Sequence, residues 1–423
     1  MTDPHRMGPA RNQCLLHRRP LPASRHTGWT ADLRDTRASP SGYRPAGRSQ
    51  PRRAPLKAPS WAGFVWRAEI TCAYPAQDDF GALLVKAAIF RGVGVPLEIS
   101  AHPDPEPGAH EVVLKVGRCG ICGTDLHMTE NGAPNTPKLG AVIGHEISGE
   151  IVACGSGVTH LKVGDRVAAL PIAGCGACAA CRAGEPTWCV NGLNFLGGGY
   201  AEYARAGANE CLKLPGGLTL EDGALVEPLA VALHGVRMAG DLSGTKVLVI
   251  GAGPIGLGAV YWARRFGASR IDVIEGNPAR RTLAMELGAT AAAEPATAPL
   301  PSLAPGPAAD LPDVVIECVG KPGLLATAIT KVRPRGIVLS LGFCMSPEQF
   351  VAAMAASREV TLKFPILYSL SDYQMTLDAL NAGDVAPRAM VTDTVSLQAL
   401  PTVFESLRAP SHQCKVMIDP WRS

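Results

Sequence analysis

The sequence predicts an α/β protein in two parts, a mostly-β half followed by a doubly wound parallel-sheet half. Three observations carry this. Between Lys86 and about residue 170, β-branched runs such as KAAIFRGVGVPLEI, HEVVLKVGRCG, GEIVACG and DRVAAL are separated by Gly and Asp turns, the pattern of strands. From about residue 244 the text changes to continuous apolar runs (KVLVIG, RIDVIE, DVVIECVG and GIVLSLG) spaced by helix-like segments such as PIGLGAVYWARRFGA and ARRTLAMELGA. Unbroken apolar strands alternating with helices imply a parallel sheet covered on both faces. After about residue 369, a helix-like DYQMTLDALNAG and mixed elements lead to a closing CKVMIDP.

The 423 residues are enough for two or three domains, each with its own core. Charge is unevenly spread: residues 1–60 carry a net +9 and the remainder −6. The body therefore has no electrostatic reason to bind nucleic acid. Residues 1–84 are rich in Arg and Pro and lack aliphatic periodicity, so no domain is expected there. Translation from upstream of a true start near Val85–Lys86, a disordered tail and an Arg-rich mitochondrial transit peptide all fit that leader. The Pro-rich stretch 293–312 reads as an irregular crossover, because its prolines oppose a regular helix. The apolar run from Val247 to Ala263 is broken by glycines in a turn-forming pattern and reads as strand, turn and helix rather than a membrane span. A cytoplasmic protein is expected, or a mitochondrial one if the leader is a transit peptide.

Gly251-Ala252-Gly253-Pro254-Ile255-Gly256 follows the first apolar strand of the second half and opens a helix. Gly251 permits the tight turn, Gly253 lets the backbone approach a pyrophosphate, and Gly256 lets helix and strand pack closely. The helix N-terminus then faces the phosphates. Glu275 ends the next strand, where a carboxylate can accept from ribose hydroxyls and repel a 2′-phosphate. NAD is thus the expected cofactor, with NADP possible because Arg280 and Arg281 lie close by. Val319, near the end of the DVVIECVG run, is also expected to contact the cofactor.

Seven of the 13 cysteines fall between Cys119 and Cys189, which points to metal rather than disulfides. Cys175, Cys178, Cys181 and Cys189 form C-x2-C-x2-C-x7-C. Such steps let four thiolates converge on a structural zinc. An iron–sulfur cluster is the rival, but its usual run closes with a shorter gap and a proline, whereas Val190 follows Cys189.

A second constellation is mixed. GICGTDLH places Cys122, Thr124, Asp125 and His127 in one short loop, GHEISGE carries His145 and Glu146, and EPLAVALH carries Glu227. Cys, His and a carboxylate make up the ligand set of a catalytic zinc with an open position. With these motifs in this order, the chain resembles the zinc-containing medium-chain dehydrogenase/reductases, in the branch of sorbitol, threonine and butanediol dehydrogenases. The resemblance runs from about Lys86 to Pro420. It implies a GroES-like catalytic domain over 85–230, a Rossmann domain over 231–368 and a return to the catalytic domain over 369–423. It makes Cys122 and His145 zinc ligands, with Glu146 or Glu227 completing the set. Alcohol dehydrogenases of the liver and yeast type place a Cys where Glu227 falls, which favours the polyol-like branch.

The function expected is oxidation of a secondary alcohol or diol: a metal-held hydroxyl loses its proton and delivers a hydride to the nicotinamide. Thr124, next to Cys122, can relay the proton, and the resemblance extends the relay to His127. Asp125 reads as a residue supporting the ligands, and His234 could line the cleft. Two zinc ions per chain, a small-molecule alcohol or polyol substrate, and a homodimer or homotetramer are expected, without nucleic-acid or membrane partners. The alternatives are a zinc-free quinone reductase of the same fold, opposed by the cysteines, and a non-enzymatic zinc or nucleic-acid-binding protein, opposed by the intact nucleotide turn.

Overall fold

A computed structural model of the chain describes residues 84–133, 135–295, 310–409 and 411–423. The leader, except Leu84, and most of the 293–312 stretch lie outside the described residues. β1 (Leu84–Ile89) and β2 (Glu98–Pro103) pair antiparallel. β3 (Glu111–Gly120) leads through α1 (Gly123–Met128) to β4 (Glu146–Cys154) and β5 (Arg166–Ala169). The short α2 (Ala179–Arg182) sits in the four-cysteine loop, and β6 (Tyr203–Gly207), β7 (Cys211–Lys213) and the long α3 (Leu220–Met238) follow. The second half runs β8 (Lys246–Ile250), α4 (Pro254–Arg265), β9 (Arg270–Ile274), α5 (Pro278–Glu286), β10 (Ala291–Ala293), β11 (Val314–Glu317), α6 (Leu324–Lys331), β12 (Ile337–Ser340), α7 (Ala352–Ala356) and β13 (Thr361–Lys363). α8 (Leu370–Asn381), β14 (Val391–Ser396), α9 (Leu400–Ser406) and β15 (Lys415–Asp419) close the chain.

The strands of the second half form a six-stranded, all-parallel sheet in the order β10-β9-β8-β11-β12-β13. Its order reverses between β8 and β11, which is where such sheets bind ligands, at the carboxyl ends of the strands. A seven-stranded sheet orders β14-β15-β3-β4-β5-β7, with β6 also on β3. The last strand, β15, thus returns to the first half. The register is decisive for the site: Gly120 at the end of β3 faces Glu146 of β4 on one side and Met417 of β15 on the other.

α3 joins the two halves. Its N-terminus is a capping box in which the Thr219 hydroxyl accepts from Asp222 N (3.1 Å) and the Asp222 carboxylate accepts from Thr219 N (2.7 Å). It is apolar nearly all round and mostly buried, because it packs against β3, β4 and β5 and also against α4, α8 and β12. The domain boundary expected after residue 230 falls inside this unbroken helix. One hydrophobic core runs from Ala168 and Leu170 through α3 to α4 and β8. Among the described residues, no helix is long and apolar enough to cross a membrane.

Candidate active site and metal centres

The glycine turn between β8 and α4 has the geometry its sequence implies. Gly251 has φ +92°, and a Cβ there would lie 2.5 Å from Val319 Cγ2. A Cβ on Gly256 would lie 1.9 Å from the Gly251 carbonyl oxygen, so the third glycine lets α4 start against the turn. Gly253 faces open space, with nothing within 4 Å of where its Cβ would stand. That clearance and the Pro254 start of α4 leave a helix N-terminus open to a phosphate group. Glu275 braces the turn: Oε2 accepts from Ala252 N (2.7 Å) and Oε1 from Asn277 N (2.8 Å). Both arginines near it are engaged with carbonyls, Arg281 with Glu275 and Gly276, and Arg280 with Gln413 (each 2.8 Å). Val319 stands partly exposed beside the turn.

The four cysteines of the α2 loop bring their sulfurs within 4.8 Å of one another, and all are free thiols. Backbone N–H groups point at them: Cys178 N at Cys175 Sγ (3.4 Å) and Cys181 N at Cys178 Sγ (3.5 Å). The amides of Cys181 and Val190 draw the Cys178 thiol down to about 6, whereas burial and the neighbouring Cys178 push Cys181 up to about 12. Crowded thiols of which some favour ionisation suit a soft divalent cation.

The mixed cluster joins a half-buried Cys122 to the buried His145 and Glu146, from segments remote in sequence. Cys122 stands at the N-cap of α1, and His145 and Glu146 stand at the start of β4. Their ligand atoms also lie within 4.8 Å of one another. Gly120 makes the packing possible, since a Cβ there would fall 1.8 Å from Glu146 Oε2. Asp125 is fully buried and supports both other ligands. Its Oδ1 lies 3.1 Å from His145 Nδ1, and its Oδ2 accepts from Cys122 N (3.2 Å). That contact leaves His145 Nε2 for a metal. Burial opposes ionisation of Asp125, but His145, the Tyr200 hydroxyl and the Cys122 amide together hold its carboxyl below the usual range.

Two side chains that no motif announced complete the cluster. Lys415, at the start of β15, donates to Glu146 Oε2 (2.7 Å) and to the Ile121 carbonyl (3.1 Å), with both charged groups buried. Burial would lower the Lys415 pKa, but the charges of Glu146 and Cys122 override it and raise it. Tyr368 donates to Glu227 Oε1 (2.8 Å). Glu227 lies outside the three-ligand group but within reach of its charges. Burial, then the Glu146 charge, lifts its carboxyl to about 7 against the pull of His145, Tyr368 and Lys415.

The remaining residues expected in the site are elsewhere. Thr124 is exposed on the first turn of α1. His127 has a side chain 75% exposed, with Nδ1 3.5 Å from Glu130 Oε2. His234 contacts Asp372 (2.9 Å), which also accepts from Arg237, so it ties α3 to the first turn of α8. A lone lysine opening the apolar run Val416–Ile418 is the available signal for Lys415, because a buried charge needs a partner. Tyr368 and Tyr200 carry no local signal.

Known proteins share this architecture. Residues 108–216 match the alcohol dehydrogenase GroES-like domain, and residues 254–382 match the zinc-binding dehydrogenase family. The D-xylulose reductase A of Aspergillus niger is 34% identical over 321 residues, covering 73% of this chain and 89% of that protein. The sorbitol dehydrogenase of Bos taurus is 34% identical over 319 residues, with the same two shares. The chain belongs to the zinc-containing medium-chain dehydrogenase/reductases, in their sorbitol-dehydrogenase-like branch. An alcohol dehydrogenase from E. coli CFT073, solved with NADH, superposes with a TM-score of 0.72 at 29% identity, covering 79% of this chain and 99% of that one. As a member of this family the protein is a zinc-binding, nicotinamide-linked oxidoreductase of alcohols, with the GroES-like and Rossmann halves that its sequence implies.

Proposed function

We propose that this dehydrogenase oxidises a secondary alcohol of a polyol or diol, with NAD as the hydride acceptor, and holds two zinc ions per chain. The observation that carries the reading is the stretch 411–415, which touches both the nucleotide side and the metal side. Ser411 O accepts from Asn277 Nδ2 (2.6 Å), Gln413 O accepts from Arg280, and Lys415 grips Glu146. This segment links the side chains beside the nucleotide turn to the Cys122–His145–Glu146 cluster, which supports reading the two as one site.

Cys122, His145 and Glu146 would hold a zinc ion, which would supply Lewis acidity toward a hydroxyl oxygen, and the glycine turn would hold a nicotinamide dinucleotide, which would supply hydride acceptance. Asp125 fixes the His145 tautomer, so that Nε2 points to the ligand group. Lys415 offsets one of the two negative charges that Cys122 and Glu146 bring together, and it holds the Glu146 carboxylate in one orientation. Glu227, whose carboxyl burial lifts to about 7 and whose Oε1 is occupied by Tyr368, can take a proton on Oε2. Thr124 and His127, on the exposed part of α1 beside Cys122, give the proton an outlet to solvent. Glu275 places a carboxylate at the end of β9, while Arg280 and Arg281 each turn one guanidinium nitrogen to backbone carbonyls, and this supports NAD over NADP.

A homo-oligomer also fits this reading. The stretch from Phe343 to Met354 exposes Phe343, Met345, Phe350, Val351 and Met354, and β13 is an open edge of the six-stranded sheet followed by exposed Phe364. Light scattering should give a dimer or tetramer. Turnover across a panel of diols and polyols with NAD and with NADP tests the function. Activity on vicinal diols or polyols with NAD is expected. Reduction of quinones without polyol oxidation would contradict it.

A further inference from the structure

We infer that Tyr200 is a positioning residue for the catalytic zinc site, acting on His145 through Asp125. The inference rests on the proposed zinc site at Cys122, His145 and Glu146. Tyr200 is fully buried, and its hydroxyl donates to Asp125 Oδ2 at 2.6 Å, the shortest of the three contacts that Asp125 makes with Tyr200, His145 and Cys122 N. The other donor on that oxygen, Cys122 N, is at 3.2 Å and belongs to the α1 capping box. A carboxylate plane rotates easily about its last torsion. Two donors on Oδ2 therefore decide where Oδ1 points, and Oδ1 is the atom 3.1 Å from His145 Nδ1.

The ring is placed as carefully as the hydroxyl. It lies over Gly144, the residue before His145, whose Cβ would come within 2.3 Å of Tyr200 Cδ1. Phe404 of α9 meets it edge-on at 6.2 Å between centroids. Its backbone is clamped by Tyr200 N to Ile143 O (3.0 Å) and by Ala88 N to Tyr200 O (2.8 Å). The phenol thus cannot follow Asp125 if the carboxylate turns, nor can water easily take its place, since both residues are fully buried. In the absence of the hydroxyl, Oδ2 keeps only the longer bond, the carboxylate plane is freed, and the Nδ1 contact that orients the imidazole loosens.

Tyr200→Phe removes the hydroxyl and keeps the ring. Zinc loss to 1,10-phenanthroline should show two phases in the parent, one for each site. In Y200F the catalytic-site phase should quicken about tenfold, the low end for groups supporting a ligand, while the four-cysteine phase stays unchanged. With cobalt(II) in both sites, the difference spectrum between Y200F and the parent should show altered d–d bands; a role in packing alone would leave these bands unmoved. Unchanged catalytic-site loss and an unchanged cobalt spectrum would overturn the inference. Should Y200F not accumulate, Phe404→Leu keeps the hydroxyl but removes the ring's support and should quicken the same phase by a smaller factor; no change there would equally overturn it. A parent with no phase from the Cys122 site would instead contradict the function itself, and this inference with it.

Discussion

The two ligand clusters of this dehydrogenase are built in opposite ways. The four-cysteine site takes all its ligands from residues 175–189, is partly exposed, and is shaped by backbone amides of its own loop. The Cys122–His145–Glu146 site is mostly buried, with Cys122 half-buried, and its supports come from residues as far apart in sequence as Ile121 and Lys415. A local cluster stiffens the loop that makes it. A cluster gathered from the N-cap of α1, the start of β4 and the start of β15 exists only when the seven-stranded sheet is in place. The first can therefore serve stability, and the second can control the charge and orientation of a buried reacting centre.

The sharpest way to break this contrast is one substitution in each cluster. Cys122→Ser should reduce turnover to background, since a neutral hydroxyl is a far poorer zinc ligand than a thiolate. NADH binding, followed by fluorescence, should stay within about twofold of the parent, because the glycine turn and Glu275 do not depend on Cys122. Residual turnover near the parent level would show that the buried cluster is not the reacting centre. Cys178→Ser should act on folding instead. Structural zinc contributes folding free energy, so the melting temperature should drop by about 10 °C or more, with turnover per folded molecule within a few-fold of the parent. A stable, zinc-replete but inactive Cys178→Ser protein would reverse the two assignments.

Smaller effects sharpen the account of the buried site. Burial places the Glu227 carboxyl at about 7, and Tyr368 pulls it down. Tyr368→Phe should raise it further and move the acid limb of the kcat/KM profile alkaline by roughly one pH unit. The linkage has a definite sign. A carboxyl raised in the folded state binds more protons there than in the unfolded chain, so the Glu227 contribution favours folding most below about pH 4.5 and declines as pH rises to about 7. An unmoved pH profile in Tyr368→Phe would remove Glu227 from proton handling. Glu275→Ser should have the mildest effect, raising kcat/KM with NADP relative to NAD by roughly tenfold as the opposing charge disappears. A parent that already prefers NADP would show that Arg280 or Arg281 dominates.

The same contrast explains what was legible in the sequence. The glycine turn, the parallel strands and the C-x2-C steps are local, so their chemistry is written in contiguous residues. Cys122, His145 and Glu146 were readable as residue types in short motifs, but the choice between Glu146 and Glu227 was not. The β3–β4 register, which puts Glu146 against Gly120, and the Tyr368 hydroxyl, which engages Glu227, both rest on pairings between residues remote in sequence. Lys415 and Tyr200 are brought to the site by β15 and by the segment beside β1, hundreds and tens of residues away in sequence. The boundary expected after residue 230 falls inside α3, an apolar helix that packs against both halves, which composition does not reveal. Thr124 and His127 carry motif positions, yet both stand exposed on α1, and any part they take in proton transfer lies at the site's outlet.

Metal content tests the central claim most directly. Elemental analysis of the purified protein should give two zinc ions per chain, falling to one in Cys122→Ser with the four-cysteine ion retained. One zinc in the parent, or iron in place of zinc, would contradict the division between a reacting zinc and a structural one.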